Sequence, residues 1–416
     1  MENNYNSRIK SKKVILFSRT FYPEGMGGGE ISAFHIAKAL STEIEPIVCC
    51  LSEKTKKPII EYLDGVKIYR FPWKKLKISK KLSNLDYAYL QMYRAAKKVI
   101  KKENPTYLHF LNFGGIFPLA LFFNKYPKFA TINGPLLCEF GSSHPDGKTC
   151  YNCTNKERFF LSFKKWGPMG AIYWIYNRYS QTIQKISLKK CNKLFAVSKA
   201  IKIMLIDGKI KENKIEVIHN PVKINEKLNN NLKEKLKISK EKKIILYAGR
   251  LAKDKGIHRT IKAIENIENV VFLIAGEKRN YYPKLKTLVK KLELEKKVIF
   301  LGFIDNSKIG KYFSIADLIV HPCSFYEPLS RMLIESTSYG LPIIATDMGG
   351  NGDIVKENIN GFLVSNRKEL KEKISLLINS PSLAKKMGKN SQKIATLKFA
   401  PEKIGKKIIN EYIKIK

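Results

Sequence analysis

Apolar and polar positions along the chain fall into two alternating kinds of block. Short runs rich in β-branched and aromatic residues recur at Val14–Phe17, Pro46–Cys50, Val66–Phe71, Tyr107–Leu111, Phe129–Ile132 and Leu194–Val197. Between them lie longer stretches with apolar residues at helical spacing, the pattern of βα units on a parallel sheet. The pattern restarts at Ile244–Ala248 and continues through Val270–Ala275, Val298–Leu301, Leu318–His321 and Ile343–Ala345. The polar, Asn/Lys-rich segment Val222–Lys243 reads as a linker followed by a short helix. The expected fold is α/β: two Rossmann-like, doubly wound parallel-sheet domains, residues 1–222 and 223–400, facing a central cleft. Ser198 is placed to cap a helix beginning near Lys199. Ile404, Ile408, Ile409, Tyr412 and Ile413 predict an amphipathic C-terminal helix over 401–416, expected to pack back on the first domain.

Composition narrows the function classes. The 416 residues include 22 Phe and 20 Tyr and are 44% hydrophobic, which supplies two cores and excludes disorder as the main state. Seven Cys are too sparse, and odd in number, for a disulfide scaffold. The longest apolar run, Ile116–Phe123, is interrupted by Pro118 and is far shorter than the roughly 18 residues a membrane span needs. Val14–Phe17 is too short for a signal peptide, so the expected location is cytoplasmic. The net charge of +41 divides into +22 over residues 1–220 and +19 over the rest, so no basic tail or domain stands out. With no zinc-finger, RRM or basic-heptad pattern, a nucleic-acid partner is not expected. Attraction to anionic lipid headgroups, and a peripheral place on the inner face of a membrane, stay open.

Four motifs fall at strand ends. Gly25-Met26-Gly27-Gly28-Gly29 follows the first strand where a helix opens near Glu30, a place where bare N–H groups approach phosphate. Its spacing matches neither a dinucleotide fingerprint nor a Walker loop, and a plain turn is an equal reading. Gly249-Arg250-Leu251 ends the first strand of the second half, with Lys255-Gly256 just beyond. Arg250 and Lys255 suit a diphosphate, Arg as a fork and Lys as a point charge. Glu327 and Glu335, read on one helix, would stand about 12 Å apart and be rotated by roughly 80°. That is wider than the ~5–9.5 Å of a glycosidase pair and suits two separate hydroxyl-bearing rings on one ligand. Asp347-Met348-Gly349-Gly350 adds another glycine turn on the same edge.

Taken in order, these motifs resemble family 4 glycosyltransferases, the retaining enzymes of GT-B fold that use nucleotide sugars. The resemblance is carried by Gly249-Arg250-Leu251, Lys255-Gly256, Leu273-Ile274-Ala275-Gly276, Phe300-Leu301-Gly302-Phe303, Ala316-Asp317, Glu327 with Glu335, Gly340-Leu341-Pro342, Asp347-Met348-Gly349-Gly350 and Asn360-Gly361. A looser match in the first half rests on Phe21-Tyr22-Pro23, Gly28-Gly29, Val197-Ser198 and Asn220-Pro221-Val222. It implies a glycosyltransferase acting on a glycan, lipid-linked or other acceptor in cell-surface polysaccharide or glycolipid biosynthesis. The second domain would bind the donor and the first the acceptor, with no cofactor required. Arg250 and Lys255 would neutralise the diphosphate and Glu335 would hold the ribose. Glu327 would position the sugar with backbone amides near Leu329, Ser330 and Arg331. The turn Gly249, the turn Gly302-Phe303-Ile304, and Gly28-Gly29 would line the donor. Three positions depart from the family pattern. Ser330 replaces a common Gly and narrows the sugar pocket. Asn133 stands where His is usual, so position 133 can hydrogen-bond but cannot titrate. Pro221 replaces a common Gly and stiffens the connection between domains.

Two segments lie outside these motifs. Cys138, His144, Cys150 and Cys153 share one loop, with Cys191 as a further candidate; a structural zinc, a redox pair and plain thiols are all open readings. Cys49, Cys50 and Cys323 read as strand or loop thiols. Phe159–Trp166 and Ala171–Tyr176 mix aromatic residues with Lys and Arg, which suits a membrane interface or a helix packed into the first domain. Two rival functions are a GT-B nucleotide-sugar epimerase and a non-catalytic binder of sugar nucleotides or membrane surfaces.

Overall fold

The computed structural model describes residues 12–25, 27–74, 83–113, 116–134, 154–228, 231–278 and 280–415. They form two compact units, one ending at Pro221 and taking in the chain from Pro401 onward, the other spanning Val222–Ala400.

The first unit is built on eight strands: β1 (Lys13–Phe17), β2 (Glu45–Ser52), β3 (Ile59–Leu63), β4 (Val66–Pro72), β5 (Tyr107–Phe110), β6 (Lys128–Ile132), β7 (Lys193–Ala196) and β8 (Ile215–Val217). Their order is β3-β4-β2-β1-β5-β6-β7-β8, parallel throughout except for the β3–β4 pair. Val14–Phe17 and Ile47–Leu51 are completely buried. Near-continuous apolar runs of this kind belong to central strands covered on both faces, which is why they were legible in the sequence. Strand β3 was not expected from the sequence: Ile59, Ile60 and Tyr62 are exposed on an antiparallel edge, where no buried face imposes a pattern. The helices that matter here are α1 (Gly28–Leu40), α2 (Ser83–Glu103), α3 (Asn155–Trp166), α4 (Gly170–Lys190) and α5 (Lys199–Asp207). Ser198 caps α5, its side chain accepting the Ile201 N–H.

The second unit carries a six-stranded, all-parallel sheet: β9 (Lys243–Ala248), β10 (Val270–Ala275), β11 (Val298–Gly302), β12 (Leu318–His321), β13 (Ile343–Thr346) and β14 (Gly361–Val364). The order is β11-β10-β9-β12-β13-β14. Helix α6 (Arg331–Ser338) follows β12, and α7 (Pro401–Ile413) closes the fold.

Helix α7 belongs to the first unit. Ile404, Ile408, Ile409 and Tyr412 enter the same core as Leu16, Ala33, Ile36 and Phe129. The Tyr412 hydroxyl lies 2.5 Å from His109 Nδ1, and His109 Nε2 lies 2.7 Å from Thr131 Oγ1. Burial lowers the His109 pKa to about 3, so this ring is a neutral bridge between β5, β6 and α7.

Both sheets reverse their direction of growth near the middle, between β1 and β5 in the first unit and between β9 and β12 in the second. The loops leaving the carboxyl ends of such strands diverge and leave room for a ligand.

Candidate active site

In the second unit the reversal brings together the loops after β9 and β12. The chain leaves β9 through Gly249 and exposed Arg250 and makes a short turn over Lys253–Lys255. It then passes Gly256 with φ of 72°, and a β-carbon there would lie 1.8 Å from the Pro322 carbonyl oxygen. Only glycine permits both the left-handed turn and that approach. The contact seats Lys255 against the loop after β12. Its ammonium lies 2.9 Å from Glu327 Oε2 and 4.2 Å from the Phe325 ring centroid. His321, the last residue of β12, meets the same carboxylate oxygen through Nε2 at 3.1 Å. The Glu327 carbonyl accepts the Gly350 N–H, so the glycine turn after β13 holds the backbone.

Glu327 is 7% exposed. Burial, the largest influence on its carboxyl, opposes ionisation. The His321 hydrogen bond and the Lys255 charge outweigh it, and the pKa falls to about 2. His321 is likewise buried, which disfavours its charge, yet neighbouring Cys323 and Glu327 raise it to about 9. At neutral pH the cluster is one carboxylate between two cations.

The reading of Glu327 and Glu335 on a single helix is corrected by these positions. Helix α6 starts at Arg331, and residues 322–330 are loop, so helical spacing does not relate the two acids. The physical reason is local: Pro328 cannot donate a backbone hydrogen bond, and Ser330 caps the helix by accepting the Leu333 N–H. The Ser330 hydroxyl oxygen thus accepts in the cap, and Leu329 beside it is buried. Glu335 lies one turn into α6 and is half-buried, 2.8 Å from Arg331 Nε. The N–H groups at the start of α6 have no intrahelical partner. Beyond β10 and β11, the Gly276 N–H donates to the Gly302 carbonyl; Phe303 is 61% exposed and Ile304 is half-buried.

In the first unit the reversal brings the loop after β1 next to the one after β5. Gly28 and Gly29 are the first residues of α1. A β-carbon at Gly29 would lie 2.6 Å from Asn112 Oδ1, so glycine there lets α1 abut the end of β5. Asn112 has φ of 49°, which Asn tolerates better than most residues. Its Oδ1 accepts from Asn133 Nδ2 at 3.0 Å, and Asn133 Oδ1 accepts from Asn220 Nδ2 at 3.0 Å. Asn112 Nδ2 in turn donates to Ser18 Oγ at 3.4 Å. Four strand ends are thus joined by a ladder of neutral groups. An Asn133→Ala variant takes one partner each from Asn112 Oδ1 and Asn220 Nδ2. It is expected to lose about 1 kcal/mol of stability, read as a lower midpoint in urea unfolding.

Sequence reasoning missed four residues of this architecture. His321 was read only as the end of a strand, Asn220 only as part of a connection, and Asn112 and Arg70 not at all. Arg70 is buried on β4; it donates to the Phe21 and Tyr22 carbonyls and pairs with Glu61 and Glu24, bracing the loop before α1. A lone Arg in an apolar strand, and Asn at successive strand ends, were the available signals.

The candidate zinc ligands Cys138, His144, Cys150 and Cys153 lie outside the described residues. Cys191, their candidate partner, is fully buried, its thiol facing the Ser187 carbonyl, and burial raises its pKa to about 12. Among the described residues, the ligand atoms of His321, Cys323 and Glu327 lie within 4.8 Å of one another. The carboxylate oxygen of that trio already carries the Lys255 ammonium, which a metal dication would have to displace.

Helices α3 and α4 pack on one another, with Phe159 edge-on to Trp174 at 5.8 Å. Phe160 (61%), Phe163, Ile172, Ile175 (62%) and Tyr179 (67%) are exposed alongside Lys156, Lys164 and Arg178. Among the described residues no helix is long and apolar enough to cross a membrane.

The architecture is thus two doubly wound units, the second with a cation–carboxylate cluster at its switch point. Residues 26–226 match the family described as Glycosyltransferase Family 4, and residues 229–394 match Glycosyl transferases group 1. The chain belongs to this glycosyltransferase family. It is 30% identical over 185 residues to spore coat protein SA of Bacillus subtilis, covering 42% of this chain and 49% of that protein. It is 29% identical over 256 residues to the capsular polysaccharide biosynthesis glycosyltransferase CapM of Staphylococcus aureus, covering 55% and 63%. The chain thus spans about half to somewhat under two thirds of these relatives. The crystal structure of Anabaena HepE in complex with UDP-glucose superposes with a TM-score of 0.70 at 18% identity, over 97% of this chain and 100% of that one. That likeness shows the GT-B fold.

Proposed function

We propose that this protein is a hexosyltransferase that moves a sugar, with retention of configuration, from a nucleotide-sugar donor held by the second unit. The first unit takes the acceptor, a glycan or lipid-linked sugar in polysaccharide or glycolipid assembly. The observation that carries this reading is the pairing of half-buried Lys255 with buried Glu327 at the carboxyl ends of β9 and β12. An ammonium has three N–H donors. One points to Glu327, so the others can meet diphosphate oxygens together with Arg250, where charge grows as the nucleotide departs. The carboxylate, already ionised, accepts from sugar hydroxyls through its other oxygen, and the half-buried Glu335 suits a ribose. In the first unit Asn133 offers a hydroxyl partner without titrating. On this reading, leaving-group departure and acceptor attack take place on one face of the sugar. UDP-glucose, the ligand of the HepE structure, is a reasonable first donor to try.

The test is a thermal-shift screen of nucleotide sugars, followed by nucleotide release with the stabilising donor. A donor bound at 100 times its Kd adds about 2.7 kcal/mol. The reading fails if no nucleotide sugar raises the melting temperature and none is consumed.

The exposed face of α3 and α4 is proposed to rest on an anionic bilayer. Rings and aliphatic side chains suit headgroup depth, and the surrounding Lys and Arg complement anionic lipid. In flotation with phosphatidylglycerol vesicles, the wild type is expected to rise and a Phe160→Ser, Ile175→Ser double variant to stay below. Equal fractions would refute the contact.

A further inference from the structure

The proposed reaction assigns work to Glu327, and His321 is where that work is prepared. Its ring is buried at the end of β12 and parallel to the Tyr247 ring, at 6.4 Å between centroids and 17°. The preceding residues, Leu318–Val320, are apolar and buried, and an apolar side chain at 321 would continue that core. Instead the position holds a buried imidazole flanked by Cys323 and Glu327. Burying a polar ring in an apolar core costs stability unless its nitrogens find partners. Local rules of this kind are broken mainly where function requires it. The gain lies at Nε2, which meets Glu327 Oε2 at 3.1 Å.

The Lys255 ammonium meets the same oxygen. Two donors from different elements, one on a strand end and one on the turn after β9, thus converge on Oε2. Oε1 has no partner among the described residues and is not among the sealed, unsatisfied atoms. A carboxylate held by one donor can pivot about its χ angles; one held at a single oxygen from two directions cannot, and presents its second oxygen in a fixed place. Lys255 is also the group that would be drawn toward a diphosphate. When it shifts, the rigid strand-borne ring is what keeps the carboxylate in register.

We propose that His321 is a positioning residue: by donating Nε2–H to Glu327 Oε2 it locks the carboxylate so that Oε1 is the oxygen offered to the sugar of the donor. This rests on the glycosyltransferase reading for the identity of the ligand, while the locking itself does not.

The test uses two neutral replacements that differ in reach. In His321→Gln the side-chain amide nitrogen falls near the place of Nε2, and in His321→Asn near that of Nδ1. With the best donor from a panel of UDP-glucose, UDP-N-acetylglucosamine and GDP-mannose, the Gln variant is expected to keep kcat within about threefold of wild type. The Asn variant is expected to lose at least about tenfold in kcat at an unchanged donor KM, because the diphosphate contacts remain. Equal loss in both variants, or loss in neither, overturns the proposal. Crystal structures of both variants supply a readout that needs no turnover. The Glu327 carboxylate should hold its place in the Gln variant and rotate off Oε2 in the Asn variant; an unmoved carboxylate in the Asn variant also overturns it. Wild-type enzyme that consumes no donor would defeat the glycosyltransferase reading and leave the crystallographic arm standing.

Discussion

A Glu327→Ala variant is expected to lose turnover by about 10³-fold and to unfold at a distinctly lower temperature than wild type. The two losses have one cause. Removing the carboxylate takes away the proposed hydrogen-bond partner of the sugar; it also leaves the Lys255 ammonium without its anion and removes a group that favours the charged form of buried His321. Breaking a buried pair by deleting one partner costs about 3–5 kcal/mol. Differential scanning fluorimetry with a donor assay on the same preparation reads both. The stability difference also has a defined pH window. The folded pKa of Glu327 is lowered to about 2, so its contribution is complete above the ordinary carboxylate range and is lost as pH falls through 2. The folded pKa of His321 is raised to about 9, so its contribution is complete below the ordinary histidine value and is lost as pH rises through 9. The gap in melting temperature between wild type and Glu327→Ala should therefore be flat from about pH 5 to pH 6.5 and shrink toward pH 9 and above. A gap that widens with rising pH would contradict the charge assignment.

Arg250→Ala is expected to separate the two effects that Glu327→Ala combines. Arg250 is exposed, and its side chain has no ion-pair partner among the described residues, so its loss should leave the melting temperature unchanged. Its proposed partner is the donor diphosphate, above all as charge builds on the leaving nucleotide. Removing one such contact typically costs about 10²–10³ in kcat. Steady-state turnover lowered by about that factor, at near-wild-type stability, is the expected outcome, and near-wild-type turnover would remove Arg250 from the site.

Much of this architecture is legible in the sequence alone. The central strands announce themselves because a parallel strand covered on both faces must be apolar at every position. Ser198 reads as a cap because its hydroxyl answers a local need, three residues along the same chain. Edge strand β3 escaped because an exposed edge leaves no apolar pattern. Glu327 was assigned to a helix because the run of residues from 322 to 335 contains nothing to contradict helical spacing except Pro328, and the cap at Ser330 decides the matter. His321 and Lys255 were separately visible as residues, yet nothing in their spacing says that both reach one oxygen.

By itself, then, the amino-acid order determined the α/β class, the two-unit organisation, the family and the residue types able to handle a diphosphate and a sugar. Those properties follow from periodicity and from short-range chemistry, and both act along the chain. Which groups converge was decided only by the tertiary structure. Gly256 against Pro322, Lys255 and His321 on Glu327, and the ladder of Asn112, Asn133 and Asn220 each join segments separated by other strands. Their meeting depends on strand order and register in the folded sheets, and that information is shared over the whole core and resides in no single motif.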